Sequence, residues 1–153
     1  MRQLSSTEIF EQAAIFSREL KQRQFHSQEA TDNGKEKHGK DSRLSNIVFM
    51  GEGEPLMNFR NVMEAVARIR GDLDIGSRHI TISTVGVAPR IRSLAEPDMP
   101  QVQLAVSLHA ATNTERLAMV SNWLSGSIIV YFRNAAHNHF VFYFVLLDRR
   151  ILI

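Results

Sequence analysis

Residues Gly51–Asn58 have the sequence Gly-Glu-Gly-Glu-Pro-Leu-Met-Asn and separate two apolar segments. The segment before them, Leu44–Met50, is short and rich in β-forming residues, whereas residues 59–73 carry apolar side chains at helical spacing. Glycine allows a tight bend, and proline fixes the direction in which the chain leaves it. This stretch therefore predicts a turn from a strand into a helix, with the Glu54 carboxylate at the end of the strand.

The rest of the chain continues this alternation of strands and helices. Residues 5–24 predict an amphipathic helix that begins with a capping box between Ser5 and Glu8. Further helices are predicted at residues 59–73, 89–96 and 113–120, and strands at 44–50, 79–84 and 102–108. Because strand–helix–strand units place their strands parallel, the predicted fold class is α/β with parallel strands.

The composition limits the classes of function. The chain has 153 residues and a formal net charge of +2, which is the size of one domain and too weakly basic to indicate nucleic-acid binding. It contains no cysteine, which excludes a disulfide framework, a thiolate zinc site and a cysteine-bound iron–sulfur cluster held by this chain alone. The longest apolar run, 140–147, is far shorter than the about 20 residues that cross a bilayer, so no membrane partner is predicted.

Polar residues follow the ends of the three predicted strands. Gly53 and Glu54 follow the first, Ser83 and Thr84 lie at the end of the second, and Ser107 and His109 lie at the third. Carboxyl ends of parallel strands meet at one edge, where a carboxylate can bind an ammonium group, and hydroxyls or an imidazole can bind a carboxylate or ribose. Together they predict a site for an amino-acid-like nucleotide, although each also has a structural explanation as a turn or strand-end residue.

Other kinds of site are not favoured by the sequence. The stretch at Gly51–Asn58 lacks the third glycine of a dinucleotide-binding motif, and its two acids would repel a pyrophosphate. His26 and His38 have no carboxylate or second histidine at i, i+4 spacing, so no metal ligand is predicted. No catalytic residue is assigned either.

Three segments together resemble a known family, namely residues 48–58, 80–89 and 104–110. They are similar to the radical S-adenosylmethionine methyltransferases that modify C2 of adenine in 23S ribosomal RNA and transfer RNA. The resemblance covers about residues 2–120, within which 25–43 look like a polar insertion loop. It implies a partial (β/α) barrel, S-adenosylmethionine as cofactor, a 4Fe-4S cluster, ribosomal RNA and tRNA as partners, and the cytoplasm, with a plastid or mitochondrion left open.

Carried over residue by residue, the resemblance implies that Gly53, Glu54, Ser83, Ser107 and His109 bind the cofactor. The family's Cys-x3-Cys-x2-Cys loop would precede Arg2, and its catalytic cysteine and a cofactor-binding asparagine have no counterpart. Glu52 and Val85 stand where methionine and serine are usual. The chain is therefore expected to be a fragment that is inactive as written. The alternative is a non-catalytic module that binds S-adenosylmethionine or RNA, or that serves in protein interactions.

The resemblance ends near Val120. Residues 121–153 form a divergent apolar tail with two β-prone runs, 128–132 and 140–147, for which a hairpin is one expectation. We interpret this tail as sequence that is not native to the family, such as a translated intron or a shifted reading frame. The expected organisation is thus a partial core at 1–120 followed by the tail.

Overall fold

The computed structural model describes residues 2–29, 43–107, 112, 114–115 and 142–145. The helices in these residues are α1 (Ser6–Glu29), α2 (Phe59–Asp72) and α3 (Ala88–Leu94). The strands are β1 (Ile47–Phe49), β2 (Ile80–Thr84), β3 (Gln103–Ser107) and β4 (Phe142–Val145). Two short 3₁₀ helices, Pro55–Asn58 and Ser77–His79, precede α2 and β2. None of the described helices is both long and apolar enough to cross a membrane.

The four strands form one parallel sheet in the order β1-β2-β3-β4. In its register, Ile82 lies opposite Phe49 on one side and opposite Leu104 on the other. The α/β class with parallel strands is therefore confirmed. All carboxyl ends lie at the same edge of the sheet, which is the edge where ligands bind in open α/β folds.

The core lies on one face of this sheet. Side chains alternate between the two faces of a strand, and every second residue of β2 and β3 is buried. Ile82 and Leu104 are completely buried and pack against apolar residues of α2 and α3. The residues that alternate with the buried ones along β2 and β3, which include Ser83 and Ser107, lie on the opposite face and are only half-buried. The sheet therefore presents one apolar face to its helices and a more polar face away from them.

Helix α1 begins as predicted but extends further. The Ser5 N–H donates to Glu8 Oε2 at 2.8 Å, and the Glu8 N–H donates to Ser5 Oγ at 3.3 Å, which is a capping box. The Arg2 guanidinium also binds Glu8, and these contacts lower the pKa of Glu8 to about 2. The predicted end at residue 24 is wrong, because the helix continues to Glu29. Residues 25–29 contain no glycine or proline that would end it.

The apolar run in the tail contributes a strand to the sheet. Phe142 lies opposite Leu104 and Val145 opposite Ser107, so β4 is parallel to β3. An open strand edge offers unpaired N–H and C=O groups, which a β-prone segment satisfies. The hairpin expected between the two runs of the tail stays a prediction, because its other run, 128–132, lies outside the described residues. Two other expected segments also lie outside the described residues. They are residues 30–42 of the expected loop and most of the expected helix at 113–120.

Candidate functional site

The turn after β1 depends on two glycines. Gly53 has a φ of +104°, in the left-handed region that favours glycine. A Cβ on Gly51 would lie 2.6 Å from the Gly53 carbonyl oxygen and 2.8 Å from its nitrogen, so a side chain there would collide with backbone. No atom lies within 4 Å of the Cβ position of Gly53, which leaves its backbone accessible. The predicted strand-to-helix turn is confirmed, and it is open on the side of Gly53.

The Glu54 carboxylate joins this turn to the end of β2. Its Oε1 accepts hydrogen bonds from the Leu56 N–H at 2.9 Å and from the Thr84 hydroxyl at 2.7 Å. Its Oε2 accepts one from the Val85 N–H at 2.8 Å. A carboxylate has about four acceptor positions, of which these contacts occupy three. Glu54 therefore has the structural role of a turn and capping carboxylate, and it keeps one acceptor position.

The sequence places Thr84 beside Ser83 among the hydroxyls at the end of the second strand, but it did not predict the contact of Thr84 with Glu54. Thr84 is 2% exposed, and its Oγ1 accepts a hydrogen bond from the Gly86 N–H at 3.0 Å while it donates to Glu54. A buried hydroxyl needs a partner, so a threonine at a core-facing position of β2 was a signal for a polar contact. Val85 donates to Glu54 through its backbone N–H, and the departure from serine at this position therefore leaves this donor in place.

Ser83 and Ser107 lie on the half-buried face of the sheet. Ser83 is opposite Ala105, and Ser107 lies two residues further along β3 on the same face. Thr81 and Gln103 share this face, since the Thr81 hydroxyl donates to Gln103 Oε1 at 3.3 Å. Both serines thus reach the same sheet edge as the Glu54 turn. His109 lies outside the described residues.

The structure brings the four described residues of the predicted site to one edge but does not enclose them in one described cleft; these residues are Gly53, Glu54, Ser83 and Ser107. A cleft of about 840 Å³ lies between α1, β1 and the turn, with Gly53 and Glu54 on its wall. Its other lining residues include the apolar Ile9, Phe16 and Val48, whereas Ser83 and Ser107 do not line it. Glu54 contacts the core-facing Thr84, while the two serines occupy the opposite face of the sheet.

Of the two cofactors that the resemblance implies, the residues of this chain fit one and not the other. An ammonium group such as that of S-adenosylmethionine fits chemically, because Oε2 of Glu54 keeps an acceptor position and the preceding residue, Gly53, has an open backbone. A 4Fe-4S cluster does not fit, because clusters of this kind are held by cysteine thiolates and the sequence has no cysteine. Among the described residues, no three His, Asp or Glu side chains are grouped as metal ligands would be.

Comparison with known proteins places these observations in a family context, although no family model matches the chain. It is 47% identical over 88 residues to a probable dual-specificity RNA methyltransferase RlmN from Dictyoglomus thermophilum. That match covers 56% of this chain and 25% of the relative. A protein of the same name from Trichodesmium erythraeum is 57% identical over 74 residues, which are 48% of this chain and 21% of the relative. The chain thus matches about a quarter of the length of these curated relatives.

A solved structure supports the same relationship. The crystal structure of a radical SAM methyltransferase from Sphaerobacter thermophilus superimposes with a TM-score of 0.70 and 30% sequence identity. The superposition covers 94% of this chain and 39% of that protein. By sequence over about half of its length and by fold, the chain is therefore similar to one part of the RlmN-like radical SAM methyltransferases.

Proposed function

We propose that this chain is the S-adenosylmethionine-binding part of an enzyme that methylates C2 of adenine in 23S ribosomal RNA and tRNA. The observation that carries the proposal is the fixed Glu54 carboxylate, which keeps an acceptor position at the ligand-binding edge of a parallel sheet. The names of the RlmN relatives, which are dual-specificity RNA methyltransferases, support RNA as the substrate class.

The chemistry of S-adenosylmethionine matches the residues at this edge. Its methionine part carries an ammonium group, which would donate to Oε2 of Glu54 beside the accessible backbone of Gly53. Its carboxylate and ribose need polar partners, and the hydroxyls of Ser83 and Ser107 are of that type. His109 completes the proposed set by resemblance. Binding and orientation of this cofactor are the roles that we assign to the chain.

The iron–sulfur chemistry of the family is not assigned to these residues. S-adenosylmethionine supplies the methyl group in such enzymes, but its radical cleavage needs an electron from a cluster that a cysteine-free chain cannot ligate. We therefore propose that the 153-residue chain on its own binds cofactor without catalysing methylation. Its RNA contacts and a cytoplasmic location belong to the same proposal.

Anaerobic reconstitution with iron and sulfide tests this lack of catalysis. We expect the desalted chain to retain no stoichiometric iron and to show no iron–sulfur absorbance, because no thiolate is present to hold a cluster. A chain that emerges from desalting with four irons and four sulfides would contradict the proposal, and methyl transfer to RNA would then be measured with that preparation.

Isothermal titration calorimetry tests the cofactor site itself. We expect the native chain to bind S-adenosylmethionine and Glu54→Ala to bind it at least about tenfold more weakly, because a charge-assisted hydrogen bond is lost. Glu52→Ala is the matched control. Glu52 is an exposed carboxylate two residues away in the same turn, for which the structure gives no hydrogen bond in the described residues. Its removal should change the affinity by less than about twofold.

Two outcomes would count against the proposed function. Equal loss of affinity in both variants would mean that net charge in the turn, rather than the fixed Glu54 carboxylate, attracts the ligand. A native chain that does not bind S-adenosylmethionine, but binds RNA in a strongly salt-dependent way that Glu54→Ala leaves unchanged, would instead support the RNA-binding module.

A further inference from the structure

The Thr84 hydroxyl contacts the carboxylate on which the proposed site depends. A hydroxyl has one hydrogen to donate and two acceptor positions. The Gly86 N–H occupies an acceptor position of Thr84 Oγ1 at 3.0 Å, and the hydroxyl hydrogen is directed at Glu54 Oε1 at 2.7 Å. Thr84 is 2% exposed, so water does not compete for either contact. The orientation of this hydroxyl is thus fixed from both sides.

The two oxygens of Glu54 are consequently not equivalent. Oε1 accepts from both Leu56 and Thr84, which fills its two positions, whereas within the described part of the chain Oε2 accepts only from Val85. A further donor can therefore reach Glu54 only at Oε2. The carboxylate cannot turn to exchange its oxygens without breaking the contacts to two elements, the turn after β1 and the end of β2.

We propose that Thr84 is a positioning residue that saturates Oε1 of Glu54 and so presents Oε2 to the ammonium group of S-adenosylmethionine. This inference rests on the proposed function and adds a residue and an atom to it. Thr84 does not touch the ligand. Its core-facing side chain acts through Glu54, and the hydroxyl rather than the methyl group carries the role.

The test compares two ligands in the full 153-residue chain. S-adenosylmethionine carries the ammonium group, whereas 5′-methylthioadenosine has the same adenosine part and lacks the amino acid. We expect Thr84→Val, which keeps the volume and removes the hydroxyl, to weaken S-adenosylmethionine binding about 10- to 100-fold in calorimetry. Its affinity for methylthioadenosine should change by less than about twofold, and Thr84→Ser should rescue S-adenosylmethionine binding to within about threefold of the native chain.

Loss of both affinities in a folded Thr84→Val chain would show a general structural role and overturn the inference. Thr84→Val leaves the buried Gly86 N–H without its acceptor, which costs stability. Circular dichroism therefore first establishes whether this variant folds. If it does not fold, Thr84→Cys replaces it. The thiol is a weaker donor of similar volume, and we then expect S-adenosylmethionine to bind more weakly than in Thr84→Ser while methylthioadenosine binds equally.

The failure of this inference differs from the failure of the proposed function. If the native chain binds S-adenosylmethionine, Glu54→Ala abolishes the binding and Thr84→Val binds it as well as the native chain, only the role of Thr84 is wrong. If the native chain binds no S-adenosylmethionine, the proposed function fails and the ammonium-directing role of Thr84 fails with it.

Discussion

Leu104→Ala is expected to lower the free energy of unfolding by about 2–5 kcal/mol. Leu104 is completely buried in β3, between β2 and β4, and packs in the cluster formed with α2 and α3. Truncation removes buried methyl groups and leaves a cavity that a sheet residue paired on both sides cannot easily close. Urea unfolding followed by circular dichroism measures the change.

Val48→Ala is the matched control for this substitution. Val48 lies in the same sheet but is 53% exposed, on the face opposite to that of Leu104, so its truncation should cost less than about 1 kcal/mol. A similar decrease in the free energy of unfolding for the two variants would contradict the arrangement in which the core lies on the sheet face of Leu104 and not on that of Val48.

Gly51→Ala is expected to destabilise the chain by about 1–3 kcal/mol and to weaken S-adenosylmethionine binding. Its Cβ would lie 2.6 Å from a backbone oxygen of Gly53, and backbone cannot move aside as the end of a flexible side chain can. The turn must then shift, and Glu54 is three residues further along it. Urea unfolding and calorimetry on the same variant measure the two effects.

Gly71→Ala separates this effect from the general consequence of replacing glycine. Gly71 lies in α2, and no atom is within 4 Å of its Cβ position. Alanine should stabilise the helix there by about 0.5–1 kcal/mol, because glycine loses more conformational freedom on folding. It should leave ligand affinity unchanged. A Gly51→Ala chain that is as stable as Gly71→Ala would contradict the crowded turn.

Local features of the fold could be predicted because their causes are local. The capping box needs only Ser5 and Glu8 at a spacing of three, and the strand-to-helix turn needs only its glycines and Pro55. The predicted end of α1 at residue 24 was wrong, because no local stop signal exists there. The helix continues to Glu29, since helix-compatible polar residues do not end a helix by themselves. The parallel pairing of β4 could not be predicted, since nothing in an apolar run specifies its partner strand.

In the candidate site, too, local features could be predicted from the sequence, whereas contacts between distant residues could not. By itself the sequence determined the parallel α/β class and the kinds of polar residue at each strand end, because alternation and strand order follow from local patterns. Only the tertiary structure decided that Glu54 contacts Thr84 and Val85, residues 30 and 31 positions later. That contact depends on the register that places Phe49 opposite Ile82, and a register is the joint result of the backbone pairing and the burial of one face.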